Sequence, residues 1–218
     1  MSLDELQKIQ QGYAEIIDHY DASHLKANRY FGIGGTSQFR QEAVRNLNLN
    51  LGDVVIDLGC GTGLNFPFLE DAIGKEGRII GVDLTKAMLG IAEERAKVND
   101  WKNIELIQAD AAEYRSKEQV DGVLASLSLY TIPDYKAAIR RCAENLKQGK
   151  VLSVFDVKLM EGVMWVANPV ALWLTRKKGG TYKKLSRRSW EEMDKYFDDI
   201  KVVKNYFGLR YLAWGKGR

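Results

Sequence analysis

Short apolar runs alternate with stretches of helical period through the middle of this chain. The runs DVVIDLG (53–59), RIIGVDL (78–84), IELIQAD (104–110), VDGVLASLS (120–128) and KVLSVFDV (150–157) are short, β-branched and nearly free of surface alternation. That pattern predicts strands buried on both faces. Between them, LNFPFLEDAIG (64–74), TKAMLGIAEERAKVND (85–100) and PDYKAAIRRCAENLKQG (133–149) predict helices, and residues 111–118 a short polar one. Upstream, Leu6, Ile9, Tyr13, Ile16 and Tyr20 recur at helical spacing behind a Ser2/Glu5 capping box. They predict a helix over 3–20, and SQFRQEAVRNLNL (37–49) predicts a second. The tail IKVVKNYFGLRYLAWGK (200–216) alternates like two strands joined at Gly208. Strands alternating with helices imply an α/β, doubly wound, mostly parallel sheet covered on both faces, here with an antiparallel C-terminal hairpin at its edge.

Composition narrows the class. The 218 residues are 45% hydrophobic and 28% charged, as in an ordinary globular protein. Cys60 and Cys142 are far apart and outside any Cys/His cluster, which fits a reducing cytoplasm and argues against a disulfide framework or a metal site. The opening MSLDELQKIQQ is too polar for a secretory signal, and no apolar run approaches the roughly 18 residues of a membrane span. The charge is uneven. RKKGGTYKKLSRR (176–188) holds seven Lys/Arg, and removing them from a net +3 leaves the rest near −4. One surface is therefore expected to meet anions.

The chemistry centres on DLGCGTG (57–63), glycines directly after a strand. A dinucleotide fingerprint, G-x-G-x-x-G, would need glycine at position 64, which is Leu64. A phosphate-binding P-loop needs a lysine, and none lies between Val54 and Gly74. Asp83 ends the second strand, where an acid can accept from both ribose hydroxyls, and Asp110 ends the third, where one can accept from an exocyclic amine. With Asp57 these carboxylates suit a ribose- and adenine-bearing ligand that carries positive charge, not a pyrophosphate.

At these residues the chain resembles the class I S-adenosylmethionine-dependent methyltransferases. VVIDLGCGTG is similar to their first motif, IIGVDLTKAML to the second, IELIQADAAEY to the third and DGVLASLSLYTIPDY to the fourth, together covering about residues 50–156. The resemblance implies a Rossmann-like seven-stranded sheet with N-terminal helices, S-adenosyl-L-methionine as cofactor and S-adenosyl-L-homocysteine as product. It implies that Gly59, Gly61 and Gly63, with Cys60, Thr62 and Asn65, form the loop at the methionine moiety, with Asp57 near its amino group. Asp83 would hold the ribose, Leu84 and Met88 would flank the adenine, Asp110 and Ala111 would meet its amine side, and Ser126 and Leu127 would line the methyl side. Cys60 reads either as a nucleophile or as a small residue in a crowded turn. KQGK (147–150) departs from the usual K-P-G-G turn but touches no ligand residue.

The acceptor is less defined. SLSLY (126–130) lacks the [DN]-P-P-[YF] of adenine or glutamine N-methylation, and Cys142 falls in mid-helix, away from where a cytosine-C5 enzyme needs its nucleophile. The pattern looks nearest to the quinone C-methyltransferases and the bacterial phosphatidylethanolamine N-methyltransferases. Residues 1–50 would form a helical segment covering the active site of a single domain, and 51–218 its core. Within the core, 158–190 forms a substrate-side lid or interfacial insertion. That insertion sets Trp165 and Trp173 in an apolar run just before the basic residues, including Lys183, Lys184, Arg187 and Arg188, with no acid between residues 162 and 189. It suits peripheral contact with an anionic membrane, or a lid over a greasy acceptor with solvated cations; RNA-phosphate contact is the weaker alternative. His19 or His24 could act as general base, and Tyr20, Tyr30 and Tyr130 could contact a cationic methyl or amine. The expected function is methyl transfer to a small lipophilic acceptor. An RNA or soluble-metabolite methyltransferase, or a non-catalytic binding module, stays open.

Overall fold

The computed structural model describes residues 36–175, 181–205 and 207–218. The expected helix over 3–20 and its capping box lie outside the described residues. The described chain begins with helix α1 (Thr36–Arg45), followed by β1 (Val54–Leu58), α2 (Phe66–Ile73), β2 (Arg78–Asp83), α3 (Lys86–Val98), β3 (Ile104–Gln108) and β4 (Val120–Ser126). Then come α4 (Tyr135–Asn145), β5 (Leu146–Val157), a 3-10 turn (Gly162–Ala167), α5 (Asn168–Thr175), α6 (Tyr182–Leu185), α7 (Ser189–Met193), β6 (Phe197–Asn205) and β7 (Arg210–Gly217).

The strands form one sheet in the order β3-β2-β1-β4-β5-β7-β6. The first five are mutually parallel, and β7 runs antiparallel to both β5 and β6. Alternation along each strand divides the core in two. Val55, Ile79, Leu124 and Phe155 point to one face, where α1, α2 and α3 cover them with Phe39, Ala43, Phe66, Leu69 and Leu89. Ile56, Leu58, Val82 and Val123 point to the other, against Ala138, Ile139 and Cys142 of α4 and Met193 of α7. The Phe39 and Phe155 rings stack with centroids 5.2 Å apart, fixing α1 over the middle of the sheet. Pro67 occupies the first turn of α2, where its missing N–H costs nothing, and the Asp134 carboxylate caps α4 by accepting from the Ala137 N–H at 3.0 Å.

Two sequence expectations are corrected. Residues 111–118 form no helix: the Asp110 carboxylate accepts from the Ala112 N–H at 2.9 Å and closes a turn. Asn145 then takes up the Ser116 N–H at 2.9 Å, which fixes the non-helical path. The segment 147–149 is not the end of α4 but the start of β5, where Leu146 pairs with Val120. Lys147 and Lys150 both reach the Asp121 carboxylate, at 2.8 and 3.2 Å, a tie that local periodicity does not reveal. No described helix is long and apolar enough to cross a membrane.

Candidate functional site: the cleft at the switch point

The strand order reverses between β1 and β4, so the loops at their carboxyl ends diverge and leave an open cleft. The glycine loop forms its floor. Gly59 and Cys60 donate N–H bonds to the Val82 carbonyl at 2.7 and 3.1 Å, fastening the loop across β2. Gly59 has φ +70°, and a Cβ there would stand 2.5 Å from Ser128 Cβ, so no larger residue fits without displacing the β4 loop. Gly61, at φ +55°, has open space where a Cβ would sit and faces the cleft. Gly63 packs against the Phe66 ring and is not on the cleft wall.

Asp83 and Asp110, at the ends of β2 and β3, both line the cleft, with Leu84, Met88 and Ala111 as apolar wall. The Asp83 carboxylate accepts from the Gly61 N–H at 2.9 Å and the Thr85 N–H at 2.8 Å. Burial raises its pKa, and those N–H bonds oppose the rise. No cation is among the described residues of the wall. Leu127 and Ser128 close the β4 side; Leu127 takes φ +55°, a conformation that costs a branched residue energy. Ser128 Oγ is buried without a partner among the described residues. A donor-poor, carboxylate-bearing cleft with a Cβ-free approach at Gly61 and an orphan hydroxyl fits an adenosyl sulfonium.

Asp57, Asn65 and Ser126 lie one layer behind. Asp57 is fully buried, and both its oxygens accept from Asn65 Nδ2, at 2.8 and 3.0 Å. Desolvation pushes its carboxyl up to about 7, against the pull of Asn65 and Arg40. Arg40 completes the chain, donating to Asn65 Oδ1 at 2.6 Å and to Ser126 Oγ at 3.1 Å. Nothing in the sequence pattern singled out Arg40; the only cue was its place beside Phe39 on the face of α1 that packs. Cys60 is buried, its thiol pushed well up by desolvation, and its Sγ fills the space above Gly81. That matches the crowded-turn reading and not a thiolate nucleophile. Thr62 is buried, and its carbonyl accepts from Arg95 Nε at 2.8 Å.

Tyr130 is buried against Leu159 and Leu185, beside the cleft rather than on its wall. Trp165 and Trp173 are 65% and 72% exposed, Lys183 is exposed and Lys184 partly buried. Arg188 pairs with Glu191 at 3.1 Å. Arg187 turns toward the loop after β4, with NH1 donating to the Leu129 and Ile132 carbonyls at 3.0 and 2.6 Å. His19, Tyr20, His24 and Tyr30 lie outside the described residues. Among the described residues no group of side chains could hold a metal ion.

A family model described as a methyltransferase domain matches residues 55–149. The demethylmenaquinone methyltransferase of Oceanobacillus iheyensis is 26% identical over 144 residues, 66% of this chain and 59% of the relative. That of Staphylococcus carnosus is 29% identical over 146 residues, 66% of this chain and 58% of the relative. The match spans less than two thirds of either relative. Among solved structures, a Thermotoga maritima protein described as an S-adenosylmethionine-dependent methyltransferase, possible histamine N-methyltransferase, superposes with a TM-score of 0.71. It is 18% identical and covers 96% of this chain and 100% of its own, a likeness of fold.

Proposed function

We propose that this chain, whose residues 55–149 match a methyltransferase domain, transfers the methyl group of S-adenosylmethionine to a small lipophilic acceptor of the quinone or phospholipid-amine kind. The observation that carries the donor is the cleft itself, with Asp83 and Asp110 at adjacent strand ends, Gly61 open beside Asp83 and no described cation on its wall.

In this reading Asp83 accepts from the ribose hydroxyls and Asp110 from the adenine amine, while Leu84, Met88 and Ala111 hold the ring. When bound, the cofactor supplies a sulfonium methyl that is electrophilic without further activation. The protein's part is alignment and exclusion of water. The loop is made rigid by its bonds to Val82 and Asp83 and by the Arg40–Asn65–Asp57 chain beneath it. Ser128 Oγ supplies a donor and an acceptor on the β4 side. His19, Tyr20 and Tyr30 are our candidates for the acceptor side, with His19 or His24 taking a proton where the acceptor carries one.

The quinone-methylating relatives support a lipophilic acceptor, and so do the exposed tryptophans of the 158–190 segment. In our reading that segment lies against an anionic membrane surface, from which such an acceptor would be drawn. The test is incubation with methyl-labelled donor and, separately, a lipid extract, total RNA and soluble metabolites. Label in the lipid fraction is expected. Label in RNA or in soluble metabolites alone would overturn the acceptor class, and donor binding without transfer to any fraction would indicate a binding module.

A further inference from the structure

The loop 128–133 leaves β4 without entering a helix or strand, yet Ser128, Thr131, Ile132 and Pro133 all line the cleft. Its own bonds are few: the Ser128 carbonyl accepts from the Thr131 and Ile132 N–H groups at 2.9 and 3.2 Å and from Thr131 Oγ1 at 2.7 Å. The carbonyls of the following residues turn the other way, toward one side chain. Arg187 NH1 donates to Leu129 O at 3.0 Å and Ile132 O at 2.6 Å, and reaches Tyr130 O at 3.4 Å. Its NH2 donates to Pro133 O at 3.0 Å, and the guanidinium lies 4.6 Å over the Tyr135 ring. Asp156, fully buried in β5, also holds this loop, accepting the Tyr130 N–H at 2.8 Å.

We propose that Arg187 is a positioning residue of the donor cleft, a guanidinium clamp that sets residues 128–133 at the spacing the adenosyl ligand needs. The inference rests on the donor reading above. Guanidinium is suited to this because its planar fork presents five fixed donors and stays charged when buried, whereas a lysine ammonium presents three from one point. The clamp also reaches across sequence. Arg187 lies 54 to 58 residues beyond its partners, in the segment where Leu185 packs with Tyr130 and accepts the Leu159 N–H at 2.8 Å. The acceptor-side segment thus holds one wall of the donor site.

The test compares wild type, Arg187→Ala, Arg187→Lys and the control Lys201→Ala, an exposed lysine of β6 outside the 158–190 segment. It reads S-adenosylhomocysteine affinity by calorimetry, well below each variant's melting temperature, with amide exchange over residues 129–133. Arg187→Ala should weaken binding by about tenfold or more, since displacements near 1 Å in a preorganised site cost up to about 100-fold. Arg187→Lys should fall between, and Lys201→Ala should match wild type. Exchange at 129–133 should rise in the same order as the affinity loss. If Arg187→Ala does not fold, Arg187→Lys alone decides. Affinity within about twofold of wild type in the Arg187 variants, or full rescue by lysine, overturns the clamp. Wild-type protein that binds no S-adenosylhomocysteine removes the donor reading itself, and the proposal with it.

Discussion

The Asp83 carboxylate accepts the Gly61 N–H at 2.9 Å, so the acid assigned to the ribose also fixes the glycine that leaves the cleft open. Removing it therefore takes away a ligand contact and a loop contact together. Asp83→Ala should weaken S-adenosylhomocysteine binding by about 100-fold, as expected for two hydrogen bonds to a charged group at about 1.5 kcal/mol each. Asp83→Asn should lose less, because one oxygen remains. Calorimetric titration of both variants checks the order.

The glycines separate stability from binding. Gly59→Ala would drive a Cβ to 2.5 Å from Ser128 Cβ at φ +70°, and should cost about 2–4 kcal/mol of stability. Gly61→Ala meets no atom within 4 Å and should cost only the left-handed backbone term, about 1 kcal/mol. Its methyl group projects into the cleft, so donor affinity should fall more than stability does. Urea unfolding of the two variants beside ligand titration of Gly61→Ala measures each effect separately.

Stability should depend on pH through Asp156. Burial raises its carboxyl from 3.8 to about 7, so its contribution to folding is complete below about pH 4 and is lost as pH rises through 7. Glu161 is held near 2 by Lys158 and Lys204 and acts in the opposite sense, but only below about pH 4.5. Between pH 4.5 and 7.5 the Asp156→Asn variant should therefore lose less stability with rising pH than wild type. A shift of that size corresponds to a few kcal/mol, on the order of 1.4 per pKa unit. Urea midpoints across the range test this, and parallel slopes would contradict it.

Trp165 and Trp173 already face solvent, so replacing both by Ser should leave the melting temperature unchanged within about 2 °C. Flotation with phosphatidylglycerol vesicles should fall by about tenfold, and binding to phosphatidylcholine vesicles should be weak for both proteins. Equal flotation of wild type and variant would remove the membrane contact.

The sequence revealed what is local or strictly periodic. Strands β1, β2 and β4 were legible because burial on both faces leaves an uninterrupted apolar run, and Asp83 and Asp110 because strand ends set their positions. Arg40 was not legible, since an arginine on an amphipathic helix reads as solvent-facing until Asn65 and Ser126 are folded over it. Arg187 was hidden in the basic run for the same reason, its carbonyl partners lying far away in the chain. The turn at 111–118 and the early start of β5 were decided by single side chains, Asp110 and Asp121, whose partners periodicity does not encode.

The most direct measurement is a crystal structure of the protein with S-adenosylhomocysteine. Ribose hydroxyls within hydrogen-bond distance of Asp83, the adenine amine at Asp110 and the homocysteine portion passing over Gly61 are the predicted result. Adenosine bound outside this cleft, or inside it with Asp83 facing away from the ribose, would contradict the account.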